Sequence, residues 1–182
     1  MISVIAATWC ALSPSALIPA RQFVLEHSGE RVSITRVALL LIALNAVIFY
    51  RPGSLMEHIT LSAYFTFLAQ LAYLDAYRHW LPLCFTTVFI VSGALLAGSP
   101  GHLFAAAVLW LPFFVMECYP QGPGRGDKWL CAGLGMWLGL HHAALITGVS
   151  LLLLLLAGHL HQSRGLPLAP YVFAASLLLL LL

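Results

Sequence analysis

The chain is predominantly apolar and contains two aspartates, Asp75 and Asp127. Two carboxyl groups held about 3 Å apart cannot both ionise easily, so one keeps a proton while the other acts as a base. Such a pair can activate a water molecule and protonate a leaving amine, as peptide hydrolysis requires. This chemistry needs no metal ion, cofactor or side-chain nucleophile. The alternative at this point is that each aspartate only caps a helix at a membrane surface.

The composition predicts that lipid is the solvent of this chain. Hydrophobic residues make up 62% of the sequence and charged residues 8%, whereas a soluble domain carries about a quarter charged residues. The 182 residues allow about six to eight membrane crossings of about 20 residues each. We therefore expect an all-α integral membrane protein that forms a single membrane domain over residues 1–182. The net charge of +2 is too small to indicate a nucleic-acid partner.

Apolar stretches separated by turn signals predict a bundle of about eight transmembrane helices, with seven as the alternative. A helix pair with a short polar loop at residues 21–36 fills residues 1–54, and a six-helix core fills residues 55–182. The apolar stretch 129–161 would form a helix about 50 Å long, which exceeds the roughly 30 Å hydrocarbon core. We therefore expect a break within Gly139-Leu140-His141-His142, between a short helix over residues 128–140 and a longer one over residues 143–160.

The order of the predicted helices places both aspartates on one side of the membrane. Two helices separate Asp75 from Asp127, and an even number of crossings returns the chain to the same face. In the eight-helix arrangement all lysines and arginines except Arg51 share that face, which the positive-inside rule identifies as cytoplasmic. Trp80 and Trp129 adjoin the aspartates, and tryptophan favours the headgroup level. Both carboxyl groups are therefore expected at the cytoplasmic interface.

Other residues near Asp127 are suited to supporting it. Gly124 and Gly126 allow backbone conformations that other residues resist, so the loop can approach a partner or a substrate strand closely. Lys128 adds positive charge beside the aspartate, and Glu117, at the end of the preceding predicted helix, is a candidate supporting residue. The dispersed histidines and four cysteines lack metal-ligand spacing, so we predict no metal site.

Two motifs around the aspartates resemble those of the type IV prepilin peptidases, which are G-x-G-D membrane aspartic proteases. The first is Asp75-Ala76-Tyr77-Arg78-His79-Trp80-Leu81-Pro82, and the second is Gly124-Arg125-Gly126-Asp127-Lys128-Trp129-Leu130, followed by a glycine–Trp-Leu-Gly pattern at 135–139. Residues 166–170 are similar to a third family motif but depart from it at Leu168 and Ala169. The resemblance covers about residues 55–182.

The resemblance implies an aspartic endopeptidase of the bacterial inner membrane with its active site facing the cytoplasm. It implies that Asp75 and Asp127 are catalytic and that Gly124, Gly126, Lys128 and Pro82 belong to the substrate-binding loops. The expected substrate is a prepilin or pseudopilin, whose leader peptide is cleaved without a cofactor. Many members carry a cysteine-rich loop linked to N-methylation. Residues 21–36 contain no cysteine, so we predict a form with peptidase activity only.

Two other functions stay open from the sequence. The chain could be a non-enzymatic transporter or assembly scaffold in which the aspartates serve folding. It could also be an aspartic protease of the same class that acts on another membrane substrate.

Overall fold

The computed structural model describes residues 2–28, 33–78, 80–119, 124–161 and 166–181, and within these ranges all regular structure is helical. The predicted all-α class is confirmed. The elements are α1 Ile2–Leu12, a 3₁₀ turn Ser13–Ala16, α2 Leu17–Ser28, α3 Thr35–Tyr50, α4 Leu55–Arg78, α5 Leu83–Leu96, α6 Pro100–Glu117, α7 Asp127–His161 and α8 Ala169–Leu181.

The first helical segment extends further than the sequence suggested. Pro14 initiates the 3₁₀ turn between α1 and α2, and α2 then continues to Ser28. About half of the predicted polar loop at residues 21–36 is therefore helical, while residues 29–32 lie outside the described ranges. The physical reason is packing, because Val24 and Phe23 lie against Tyr73 and Leu74 of α4. The sequence predicted a loop here because the outer face of this helix is polar.

The centre of the fold is α4, whose large buried side chains contact helices on several sides. Trp137 of α7 donates a hydrogen bond from Nε1 to the Phe89 carbonyl oxygen of α5 at 2.8 Å. Its ring lies 5.8 Å from that of Tyr64 in α4, and the Tyr64 hydroxyl is 2.7 Å from Ser176 Oγ of α8. These contacts fix the positions of α5, α7 and α8 around α4.

The predicted break in α7 is confirmed at Gly139. This residue has φ 70° and ψ 178°, a backbone conformation essentially restricted to glycine. A straight helix of 35 residues would be about 52 Å long. However, Asp127 and Leu166 line the same cavity, and the five peptide units after His161 span at most about 18 Å. The second half of α7 must therefore bend back towards the cavity at Gly139.

Two helices, α6 and α7, are long and apolar enough to cross a membrane. Their most apolar 18-residue windows are 11% and 22% buried inside the protein, so most of that surface faces outwards. The helices α3, α5 and α8 are apolar but contain only 16, 14 and 13 residues. The structure therefore supports membrane association through two candidate spans, and the expected eight crossings stay a prediction.

Candidate active site

Asp75 lies near the carboxyl end of α4 and is only 4% exposed. Its Oδ2 accepts a hydrogen bond from the Ala169 backbone N–H, the first of α8, at 2.8 Å. The carboxyl end of a helix carries partial negative charge, which disfavours a carboxylate there, whereas an amino end favours one. The start of α8 therefore provides the stabilisation that α4 itself cannot give to Asp75.

Asp127 is the first residue of α7 and closes a turn on itself. Its backbone N–H donates to the Gly124 carbonyl oxygen at 3.0 Å. In return, the Gly124 N–H donates to Asp127 Oδ2 at 3.0 Å. A carboxyl group in the first turn of a helix is favoured by the helix dipole. Hydrogen bonds between near neighbours in the chain therefore hold this carboxyl group. The Asp75 carboxyl group, in contrast, accepts from a residue that is distant in the sequence.

Gly126 brings the two sequence motifs into direct contact. A Cβ atom on Gly126 would lie 2.5 Å from Leu81 Cβ and 3.1 Å from the Leu81 carbonyl oxygen. Because no side chain fits there, only glycine allows the loop to lie against this segment. Pro82 follows immediately and is buried. It does not line the cavity but begins α5, since its carbonyl oxygen accepts from the Phe85 and Thr86 N–H groups.

Three separate segments of the chain enclose one cavity of about 180 Å³. The lining residues are Asp75, Trp80, Leu81, Gly124, Arg125, Gly126, Asp127, Leu166, Pro167 and Leu168. The expectation that the chain returns Asp127 to the same end of the bundle as Asp75 agrees with this arrangement. A space of this size admits water, because one molecule needs only about 10–15 Å³.

The predicted residues Lys128 and Glu117 lie together, outside this cavity. Lys128 Nζ forms an ion pair with Glu117 Oε2 and lies 5.5 Å from the Phe114 ring centroid. Successive side chains on a helix point about 100° apart, which turns Lys128 away from Asp127. Glu117 Oε1 also forms an ion pair with Arg125 Nε at 3.4 Å. This pair therefore anchors the loop to α6, and neither Lys128 nor Glu117 lines the cavity with the two aspartates.

Six lining positions carried no functional role in the sequence prediction: Trp80, Leu81, Arg125, Leu166, Pro167 and Leu168. The signal at the last segment was the similarity of residues 166–170 to a third family motif, which assigned no role to an individual residue. Trp80 is half-exposed at the mouth of the cavity, with its ring centroid 5.7 Å from that of Phe23. The end of α2 therefore also borders the site.

Comparison of the chain with protein-family models, with curated proteins and with solved structures found no match. Within the described ranges, no group of three or more His, Cys, Asp or Glu side chains is placed to hold a metal ion. The ionisable side chains that line the cavity are the carboxyl groups of Asp75 and Asp127 and the guanidinium group of Arg125.

Proposed function

We propose that the chain is a membrane aspartic endopeptidase that removes the leader peptide of prepilin-like proteins. The observation that carries the proposal is that Asp75 and Asp127 line one cavity together with the Gly124–Gly126 loop and the Leu81 segment. The motifs of the family resemblance are distant in the sequence, and a chance similarity would not be expected to bring them to one cavity. A pair of helix caps would not need a shared cavity.

The proposed reaction uses one ionised and one protonated carboxyl group. The ionised group takes a proton from water as the water oxygen attacks the peptide carbonyl carbon. The protonated group donates its proton to the carbonyl oxygen and forms the tetrahedral intermediate. The C–N bond then breaks. The leaving nitrogen takes up a proton from the carboxyl group that had deprotonated the water. The intermediate returns a proton to the other carboxyl group. The pair therefore returns to its starting state.

We further propose that the chain crosses the bacterial inner membrane several times, with the site at the cytoplasmic face. The outward-facing apolar surface of α6 and α7 supports this, because the core helix of a soluble protein would be mostly buried. Neither helix lies near the amino terminus, where a signal sequence would be. Arg125 and Lys128 adjoin the cavity, and basic residues favour the cytoplasmic side.

The test is cleavage of a tagged reporter consisting of a short basic leader ending in glycine and an apolar helix. The purified chain is incubated with this reporter in lipid vesicles, and the new amino terminus is read by mass spectrometry. We expect Asp75→Asn and Asp127→Asn each to lower the rate by at least about 10³-fold, as loss of an essential acid or base does. Both variants should still accumulate in the membrane.

The matched control is Glu57→Gln, the same carboxyl-to-amide change at the other end of α4. Glu57 Oε2 accepts from the Ser54 N–H at 2.8 Å, and glutamine retains this capping interaction. We expect this variant to cleave normally. Full processing by either Asn variant, or no processing by the wild-type chain, would contradict the proposal, and the second result would favour a scaffold or another substrate.

A further inference from the structure

An apolar groove runs along one side of the bundle between the amino-terminal helices and α5, with α4 as its base. Two adjoining cavities of about 520 and 330 Å³ form it and share Phe67 of α4. The first is lined by Trp9, Leu12, Ser13, Ala16, Ala63, Thr66, Phe67, Ser92, Leu95 and Leu96. The second is lined by Pro19, Phe67, Gln70, Cys84, Phe85 and Val88. We call the two together the lateral groove.

The lateral groove leads towards the aspartates. Its lining residues on α5 extend from Cys84 to Leu96, and Leu81, one turn before Cys84, lines the catalytic cavity. At 1.5 Å per residue, the distance from Leu81 to Leu96 is about 22 Å, or some 15 helical residues. On α4, Gln70 lines the groove and Asp75 lies about one and a half turns further on. The groove therefore extends through much of a bilayer and ends beside the site.

The shape of the groove fits a helix. Small side chains line its inner part: Ser13, Ala16, Ala63, Thr66 and Ser92. In membranes such residues let two helix backbones approach closely, and they are enriched where helices pack. Large apolar side chains form the rim, and Leu95 is 79% exposed. Within the described part of the chain, no other helix covers this surface.

We propose that the lateral groove binds the membrane-spanning helix of the substrate and so places the bond next to that helix in the catalytic cavity. The inference rests on the proposed function and adds the surface of the bundle that recognises the substrate helix. The substrate is a single apolar helix of at least about 15 residues, joined directly to the cleaved segment. Recognition then depends on helix packing along the groove as well as on the sequence at the scissile bond.

The first test fills the groove by Ser92→Phe and uses Ala94→Phe as the matched control. Ala94 is exposed and lies about 200° around α5 from Ser92. Each variant is assayed with the helix-containing reporter and with a short peptide that carries the same cleavage site without the helix. We expect Ser92→Phe to lower kcat/KM for the first reporter about tenfold or more, mainly through KM, since overpacking disrupts a fitted contact.

The short peptide separates this inference from the proposed function. Its turnover should be unchanged in Ser92→Phe, which also shows that this variant is folded, and Ala94→Phe should leave both reporters unaffected. Equal rates for wild type and Ser92→Phe on the helix-containing reporter would overturn the groove assignment while the proposed function stands. An equal loss on both reporters would overturn it too. Failure of the wild-type chain to cleave either reporter would overturn both proposals.

A second test detects the helix directly. A photo-crosslinking amino acid replaces Leu95 at the groove rim or Leu155 of α7, both of which are strongly exposed, in the Asp127→Asn background so that the reporter stays intact. We expect a crosslink to the reporter helix from position 95 and at least about tenfold less from 155. Crosslinks at 95 only to phospholipid or to a second copy of the chain, or equal crosslinks at both positions, would overturn the assignment.

Discussion

The two ends of α4 each carry an acidic residue, but they hold it in opposite ways. Glu57, in the first turn, exchanges hydrogen bonds with Ser54, so both partners lie within one turn of the chain. Asp75, near the other end, accepts its hydrogen bond from Ala169 of a different helix. A first-turn carboxylate is stabilised by its own helix, whereas one in the last turns is not. Asp75 is thus placed where only tertiary structure can support it.

The surroundings of Glu57 and Asp75 differ as well. Near Glu57, Arg51 donates to the Leu180 carbonyl oxygen of α8 at 2.7 Å, so the segment between α3 and α4 is joined to the end of α8. Glu57 is exposed, whereas Asp75 is buried beside a cavity that also contains Asp127. A locally capped, exposed carboxylate is explained by helix stability. A buried carboxyl group at the unfavourable helix end, facing a second one, is better explained by chemistry.

After the two aspartate variants, the largest loss of activity is expected from Gly126→Ala, which lies beside the catalytic cavity. The added Cβ would overlap Leu81 and push the Asp127 turn away from Asp75. A displacement of about 1 Å can lower a rate about 10²-fold, and we expect a loss of that size in kcat/KM for the reporter. The control is Gly148→Ala, since a Cβ there has no neighbour within 4 Å. Wild-type kinetics in Gly126→Ala would show that the contact with Leu81 does not position the dyad.

Gly139→Ala tests the far end, where the effect should be on stability. Alanine at φ 70° is strained by about 1–3 kcal/mol, and its Cβ would lie 3.1 Å from the His102 ring. We expect the unfolding midpoint in detergent to fall by about 2–12 °C, with less effect on kcat/KM than Gly126→Ala has. Thermal unfolding followed by circular dichroism measures this. An unchanged midpoint would mean that the bend tolerates a side chain, contrary to the geometry.

The smallest effects are expected at the two cations that contact Glu117. The Lys128 side chain is 14% exposed and that of Arg125 is 93% exposed. Exposed ion pairs contribute little, so Arg125→Gln should change kcat/KM by less than about twofold. Lys128→Gln leaves a partly buried Glu117 with a weaker partner, and we expect a loss of about three- to tenfold. The double variant Lys128→Gln with Glu117→Gln should recover part of it.

Equal losses for the two cations would argue that charge near the cavity mouth, and not anchoring of the loop, is what matters. A double variant no better than Lys128→Gln alone would argue against coupling between Lys128 and Glu117. Steady-state kinetics on the reporter at one ionic strength measures both comparisons.

The sequence was sufficient for features that depend on chain order and on helix length. Counting the two helices between Asp75 and Asp127 placed both residues at one end. The excessive length of the stretch 129–161 predicted a break, which was expected within residues 139–142 and lies at Gly139. It was insufficient where the rotation of a helix decides the contact. Lys128 follows Asp127 in the sequence but faces Glu117, and the residues before α8 gave no sign that Ala169 would hold Asp75. Such pairings arise only when helices pack.

The hydrogen bond between Asp75 and Ala169 also has a consequence for biosynthesis. The two residues are 94 positions apart, and Ala169 follows every residue that lines the catalytic cavity. At about 5–20 residues per second, a ribosome joins Ala169 to the chain about 5–19 s after Asp75. Under the proposed function, hydrolytic competence therefore arises only after residue 169 has been joined to the chain.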